Sequence, residues 1–484
     1  MSRRLLLVAA AVGGGTATAV RVARSPQRRL RLQRTTRIWR LTARNGGRWV
    51  VTKTRVAATR DEARQDALNT RFAIRSAQDV ARELGQMKGA MMKAGQLVSF
   101  IMETLPDDAQ QALSSLQADA PPMAPTLAAG VVEHELGGSP ERIFLDWNPM
   151  PIAAASVGQV HRAVLRDGRI VAVKVQYPGV GEAIGADLDN VRALYAMFGA
   201  FALKGLDTKA LVDELRARMV EELDYRVEAR NQAEFIDHYA GHPFIRIPAV
   251  IPEYSTGRVL TTEWVEGLSW AEFVAQASPV ARQRAGEILW RFAQGSIHRL
   301  GAFNGDPHPG NYRFAADGSV TFLDFGLVKR WTGDEWTRLA PSLDAILARD
   351  LPGLVTIMEQ LGFIQPRHGL SAERVFEYVS APYVPYLDES FTFTREFVRQ
   401  TLGKMLDVKG PLADVIEQLN MPTSFVILDR VVWGVSSLLG KLDCTGPWRA
   451  MLMEYRADGP PTTELGCADA AWWSARVNGS VAAR

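Results

Sequence analysis

The chain has 484 residues, 47% of them hydrophobic and 23% charged, a balance that fits an ordinary soluble protein of two or three structural units. Its two cysteines, Cys444 and Cys467, are too few and too far apart for a disulfide framework or a thiolate zinc site, which points to a reducing compartment. The net charge of +3 is uneven: residues 1–60 hold fourteen Arg, one Lys and no acid, leaving a body with 41 bases against 53 acids.

Residues 1–58 are therefore read as a basic arm, either a solvated flexible tail or a segment drawn to a polyanion such as anionic lipid. Its apolar run, Leu5 to Val20, is 16 residues long with three adjacent glycines, short of the roughly 20 needed to span a bilayer. It lacks a small-residue cleavage site, so a secretory signal fits no better, while a weak anchor followed by an Arg-rich surface segment suits an acidic membrane.

From Thr59 the pattern turns helical, with Leu84, Met87, Met91, Val98, Ile101 and Leu105 at three- and four-residue steps, until the prolines of "ADAPPMAP" stop it; this unit spans 59–125. "LAAGVVEHELGG" predicts a helix with a Gly stop, and residues 151–176 then alternate as a hairpin turning at Asp167 and Gly168. A long helical stretch follows from about Glu182 to Tyr239. "RIPAVIPEYSTGRVLTTEWVEG" reads as two strands that close a strand-rich unit, 126–268. Pro279 to Gly301 predicts a helix ending just before "FNGDPHPGNY", and "NYRFAADGSVTFLDFG" predicts a hairpin turning at Asp317 and Gly318. Residues from Thr332 to about Met453 look helical and complete a unit of 269–455, and 456–484 read as a flexible tail with Trp472 and Trp473 its large apolar pair.

The chemistry concentrates at the junction of these two units. Lys174 stands inside the apolar strand "VAVKVQ", where burial is costly unless an anion meets it. Ahead of it, the small residues Ala153, Ala154, Ala155 and Ser156, then Val157 and Gly158, form a turn whose backbone N–H groups can approach phosphate oxygens. Downstream, Asp306 precedes Asn311 by five residues, and "LDFG" adds Asp324, giving oxygen ligands of the kind magnesium takes alongside phosphates and water. Asp306 is placed to orient a nucleophile or accept its proton, and His308, between two prolines, reads as a loop-shaping residue. Glu222 and Glu228, six apart on a predicted helix, are each candidates to neutralise Lys174.

"VAVKVQYPGV", "EELDYRVEARN", "DPHPGN" and "LDFG" together resemble the ABC1/UbiB/COQ8 (AarF) atypical kinases, over about residues 60 to 450. The resemblance implies an α+β, bilobal protein-kinase-like fold with an N-terminal helical KxGQ extension and a helix-rich C-terminal lobe. It implies that Lys93 and Gln96 of "KAGQ" occupy the cleft, that the Ala-rich loop replaces a Gly-rich one, and that Glu222 and Glu228 divide between Lys174 and Lys93. Glu263 and Val265 match the hinge that meets adenine. ATP and Mg2+ are the implied ligands, with phosphoryl transfer or ATP hydrolysis supporting isoprenoid quinone biosynthesis or membrane lipid homeostasis. Anionic lipid and quinone-biosynthesis proteins are the implied partners, no nucleic acid is expected, and the location is cytoplasmic, at the inner face of the membrane. A pseudokinase scaffold, a conventional protein kinase and a small-molecule phosphotransferase are the rivals. Two departures stand out: Asn304 where relatives carry His, and no hydrophobic span after Met453.

Overall fold

The structure, a computed structural model, describes residues 123–155, 157–181, 221–366, 369–407, 410–420 and 423–482, with Thr54, Arg55, Thr59 and Arg64 isolated ahead of them. Lys93, Gln96, Ser156 and most of the basic arm lie outside the described residues.

After the prolines, α1 (Pro125–Leu136) starts with Pro at its first turn and stops at Gly137, whose φ of +78° suits a residue without a side chain. The short α2 (Pro140–Ile143) leads into β1 (Asp146–Trp147), β2 (Ala153–Ala154), β3 (Gly158–Val164) and β4 (Ile170–Gln176). The β3–β4 hairpin turns at Asp167–Gly168, with Gly168 at φ +91°, and its register sets Val160 opposite Lys174. Ala163 of β3 and Val171, Val173 and Val175 of β4 are buried in one core with Ala128, Val131 and Val132 of α1. The alternate positions, Arg162, Ala172 and Lys174 among them, are left partly open.

The sequence reads as one helical stretch from 182 to 239, but a helix break falls at Asp224, whose side chain accepts the Arg226 N–H and caps α3 (Tyr225–His238). The expected pair of strands forms where Val250 bridges Thr262 antiparallel, while β5 (Ile245–Arg246), just ahead of it, stays out of the first sheet. It pairs in parallel with β9 (Val320–Phe322), and only β6 (Val259–Glu263) returns to lie antiparallel to β4.

The second lobe opens with α4 (Trp270–Gln276), held by a Ser269–Glu272 capping box, and α5 (Pro279–Gly295). A π-helical turn, Ser296–Leu300, extends α5 to Gly301 at φ +71°. Four short strands follow: β7 (Ala302–Asn304), β8 (Tyr312–Phe314), β9 (Val320–Phe322) and β10 (Val328–Arg330). β7 pairs with β10, and β8 with β9 through a turn at Asp317–Gly318. The loop holding Asp306 thus runs from β7 to β8, and the loop holding Asp324 from β9 to β10. Two small ladders hold both loops by their ends.

Helices α6 (Glu335–Ala348), α7 (Leu351–Gln360), α8 (Ala372–Ser380), α9 (Arg395–Leu406), α10 (Ala413–Gln418), α11 (Thr423–Leu442) and α12 (Trp448–Arg456) complete the lobe. The helical pattern expected there is interrupted by a two-stranded ribbon, β11 (Phe391–Thr392) with β12 (Thr445–Gly446). Trp290, Phe292, Leu439 and Trp448 are buried in its main core, and α7 to α10 gather around Trp433 in a second.

The expected flexible tail is instead largely helical: α13 (Glu464–Ala482) docks on the second lobe. Asp469 reaches His242, Arg299 and Tyr455, and Trp472 stacks on Tyr239 while donating its Nε1–H to the Ala240 carbonyl. No helix of the described residues is long and apolar enough to cross a membrane.

Candidate active site

β4 carries Lys174 on its open face, and α3 brings Glu228 to meet it: the ammonium lies 2.9 Å from both carboxylate oxygens of Glu228 and 3.3 Å from Asp324 Oδ2. The side chains of Lys174 and Glu228 are only 14% and 6% exposed, so each charge is costly to bury and needs the other. Burial by itself would lower the Lys174 pKa, but the carboxylates of Asp324 and Glu228 outweigh it and hold the ammonium well above its ordinary range. Of the two glutamates left open by the sequence, Glu228 is the one that meets Lys174. Glu222 stands close by, since a Cβ built on Gly326 would lie 3.7 Å from Glu228 Oε2 and 3.8 Å from Glu222 Oε1.

Burial also pushes the Glu228 carboxyl up, to about 7, with Lys174 opposing the rise and the Asp324 and Glu222 carboxylates adding to it. Beneath the pair lies Tyr225, its ring 5.2 Å from the ammonium and its hydroxyl buried without a hydrogen-bond partner among the described residues. Gly158 passes directly over that hydroxyl: a Cβ there would sit 2.6 Å from the Tyr225 oxygen and 2.3 Å from the Val175 carbonyl. Only glycine allows this approach of loop to strand.

The Ala-rich loop itself is a closed turn. Ala153 and Ala154 form β2 against Val160 and Gln159, Ala155 N–H donates to Gly158 O at 2.8 Å, and Gly158 N–H returns to Ala155 O at 3.4 Å. Val157 is buried and its carbonyl accepts from Tyr177 N–H. The N–H groups of residues 155 and 158, expected to meet phosphate, are thus turned inward to the hairpin. At the hinge, Glu263 N–H is taken by Ala249 O, whereas Val265 forms no backbone hydrogen bond among the described residues.

Asp306 is buried, and each of its oxygens has a protein partner: Oδ1 lies 2.5 Å from Arg430 Nη2, and Oδ2 accepts from Asn311 Nδ2 at 3.2 Å. The Asn311 amide also donates to the Asp306 carbonyl, which leaves its own carbonyl oxygen as the atom available to a cation. Asn304 ties the two loops together. Its Oδ1 accepts the Asp306 N–H at 2.9 Å and its Nδ2 donates to the Asp324 carbonyl at 2.6 Å. His308 Nδ1 accepts the Gly310 N–H and so shapes the Pro307–Pro309 turn.

Asp324 Oδ1 accepts the Gly326 N–H at 2.9 Å, and Phe325 is fully buried beside Phe235 and Phe292. Asn231, one turn beyond Glu228 on α3, donates to the Phe325 carbonyl and accepts from Arg330. Helix α3 therefore holds the strand lysine with one residue and the Asp324 loop with the next. Sequence reading did not single out Tyr225, Asn231 or Arg430. Asn231 was visible as the last letter of "EELDYRVEARN", while Arg430 sits in the apolar run "ILDRVVWG" with no local signal.

With this geometry in hand, comparison with known proteins is specific. Residues 115–358 match the model of the ABC1 atypical kinase-like domain. An Arabidopsis thaliana protein named "ACTIVITY OF BC1 COMPLEX KINASE 1, chloroplastic" is 34% identical over 285 residues, 57% of this chain and 41% of the relative. The Synechocystis protein sll0005 is 33% identical over 303 residues, 62% of this chain and 43% of its own length. The chain thus spans about two fifths of the length of these two relatives. Among solved structures, the complex of Rv3197 with erythromycin from Mycobacterium tuberculosis superposes with a TM-score of 0.57 at 32% identity, covering 83% of this chain and 97% of that one. A bilobal kinase-like fold, a motif set in matching order and a domain match over half the chain place this protein in the ABC1 atypical kinase-like family.

Proposed function

We propose that the cleft between the lobes binds ATP with Mg2+ and passes its terminal phosphoryl group to water or to a small, lipid-like acceptor. The observation that carries this reading is the meeting of Lys174 with Glu228 and Asp324 at once, from positions 54 and 150 residues away. A buried ammonium pinned between a helix carboxylate and a loop carboxylate is preorganised to receive the α- and β-phosphates. Asp324 and Asn311 offer hard oxygens, and few of them, which fits magnesium and its preference for retaining phosphate and water ligands. Bound there, the ion would neutralise charge on the phosphates. Asp306, fixed by Asn311, Asn304 and Arg430, orients the attacking oxygen, and the unused backbone groups of Val265 meet the adenine edge.

A second reading, nucleotide binding without turnover, draws support from the inward-turned N–H groups of Ala155 and Gly158 and from the pairing of Asp306 with Arg430. One assay separates the two: phosphate release from Mg-ATP by the wild type and by Asp324→Asn, with and without anionic liposomes. Turnover that falls at least tenfold in the variant supports catalysis. Equal background rates in all four samples would leave the scaffold.

The resemblance to the ABC1/UbiB/COQ8 kinases brings isoprenoid quinone biosynthesis or membrane lipid homeostasis into the same proposal, at the inner face of a membrane. Quinone and precursor pools in a deletion strain test that part, and unchanged pools would remove it.

A further inference from the structure

Helix α13 reaches from the second lobe to the far end of α3. Its start is fixed to α5: Thr463 Oγ1 accepts from Arg291 Nη2 at 3.0 Å, and a Cβ on Gly466 would stand 2.6 Å from that same nitrogen. One turn further, Asp469 holds both sides at once. Its Oδ2 accepts from Arg299 at 2.8 Å and from the Tyr455 hydroxyl at 3.0 Å, while its Oδ1 lies 3.0 Å from Nε2 of His242, just past the end of α3. The side chains of Asp469 and His242 are 4% and 0% exposed, so this bond is made away from water and is costly to leave unmade.

The next turn of α13 closes over the end of α3. Trp472 stacks on Tyr239 with ring centroids 5.9 Å apart, meets His242 edge-on at 4.4 Å and donates its Nε1–H to the Ala240 carbonyl at 3.0 Å. Helix α3 is the rod between this patch and the cleft: at 1.5 Å per residue, His238 stands about 15 Å from Glu228. Asn231 and Phe235 anchor the middle of the rod, through the Phe325 carbonyl and the rings of Phe292 and Phe325. A rod anchored at its middle can still tilt, and α13 removes that freedom at the end opposite to Glu228. Tilt matters there because Glu228 reaches Lys174 through bonds of 2.9 Å, whose strength falls steeply with distance and angle.

We propose that α13 is a strut that sets the axis of α3, with Asp469 and Trp472 as positioning residues for the Lys174–Glu228 pair and, through it, for nucleotide binding. The second step rests on the nucleotide reading of the cleft, and the first does not. Coupling of this kind is reciprocal, so nucleotide in the cleft tightens α13 on α3.

The test is amide hydrogen exchange and equilibrium binding of ADP with Mg2+, on the full chain, for wild type, Trp472→Ala, Trp472→Phe and Asp469→Asn, the last standing in if Trp472→Ala does not fold. Gln283→Ala, which removes the bonds between α5 and the Thr445 backbone of β12, controls for a general loss of stability. In Trp472→Ala, exchange in Tyr225–His238 should rise about fivefold or more while the β3–β4 hairpin is unchanged, and ADP affinity should fall by a similar factor. Trp472→Phe, which keeps a ring and loses the donor, recovers part of both, and Gln283→Ala changes neither. In wild type, ADP slows exchange in α13 as well as in α3. Wild-type exchange of α3 in both Trp472→Ala and Asp469→Asn overturns the strut, as does an equal rise in Gln283→Ala. Faster exchange of α3 with unchanged ADP affinity overturns its link to the cleft. Failure of wild type to bind ADP removes the nucleotide reading, and the exchange rates of the variants then still decide whether α13 sets α3.

Discussion

Glu228 answers to two opposing demands, because its buried site favours the neutral acid while Lys174 at 2.9 Å favours the carboxylate. Three acids, Glu222, Glu228 and Asp324, crowd the one ammonium of the described cleft, and the balance raises Glu228 to about 7. The sign follows from linkage. A carboxyl whose folded pKa exceeds its ordinary 4.5 binds its proton more tightly when folded, so its stabilisation is full below about 4.5 and is lost as pH rises through about 7. Melting temperature measured from pH 5 to pH 8 should therefore decline more steeply in the wild type than in Glu228→Gln, which lacks the titrating group. Parallel slopes would mean that Lys174 keeps Glu228 ionised throughout. The neighbouring Asn304 shows how an unexpected residue can be structurally sufficient. Its amide supplies both an acceptor to Asp306 N–H and a donor to the Asp324 carbonyl, and so fixes the distance between the two loops with one side chain.

The elements that carry the site were legible where a period or a turn residue is written locally. Hairpin β3–β4, the Gly301 stop after α5 and the Gly318 turn were expected because alternation and punctuation lie within a few neighbours. Lys174, Asp306, Asn311 and Asp324 were legible for the same reason, each held in a short contiguous motif. Arg430 was not, since its partner lies 124 residues away and a single Arg in an apolar helix carries no pattern. The last helix was missed on like grounds. Its anchor is Asp469, which bonds to His242, Arg299 and Tyr455 from as far as 227 residues away. Through Trp472 on Tyr239 and Ala240, α13 grips the end of α3 opposite to Glu228, so it braces the helix that positions the lysine. Asp469→Ala leaves Arg299, 10% exposed, without its carboxylate in a largely buried place. The expected cost is about 3–5 kcal/mol of unfolding free energy in urea titrations. A loss below about 1 kcal/mol would show that α13 is held by its aromatic contacts alone.

Across the whole molecule, charge is divided in a way that determines which part can touch an acidic surface. With fourteen Arg and one Lys in residues 1–60, the remaining body has 41 bases against 53 acids and is repelled by an anionic membrane. Any attraction to such a surface would then come from the arm, whose basic residues would each contribute about 1 kcal/mol near it, within a Debye length of about 10 Å at 0.1 M salt. No described helix offers a membrane span as an alternative. The full chain should sediment with anionic liposomes in low salt, and a chain lacking residues 1–60 should stay in the supernatant. Raising the salt to about 1 M shortens the screening length to about 3 Å and separates two contributions. Release of the full chain marks electrostatic attachment by the Arg-rich segment, whereas retention marks insertion of the apolar run Leu5 to Val20. Equal sedimentation of full and shortened chains in low salt would place the contact on the acidic body and overturn the assignment to the arm.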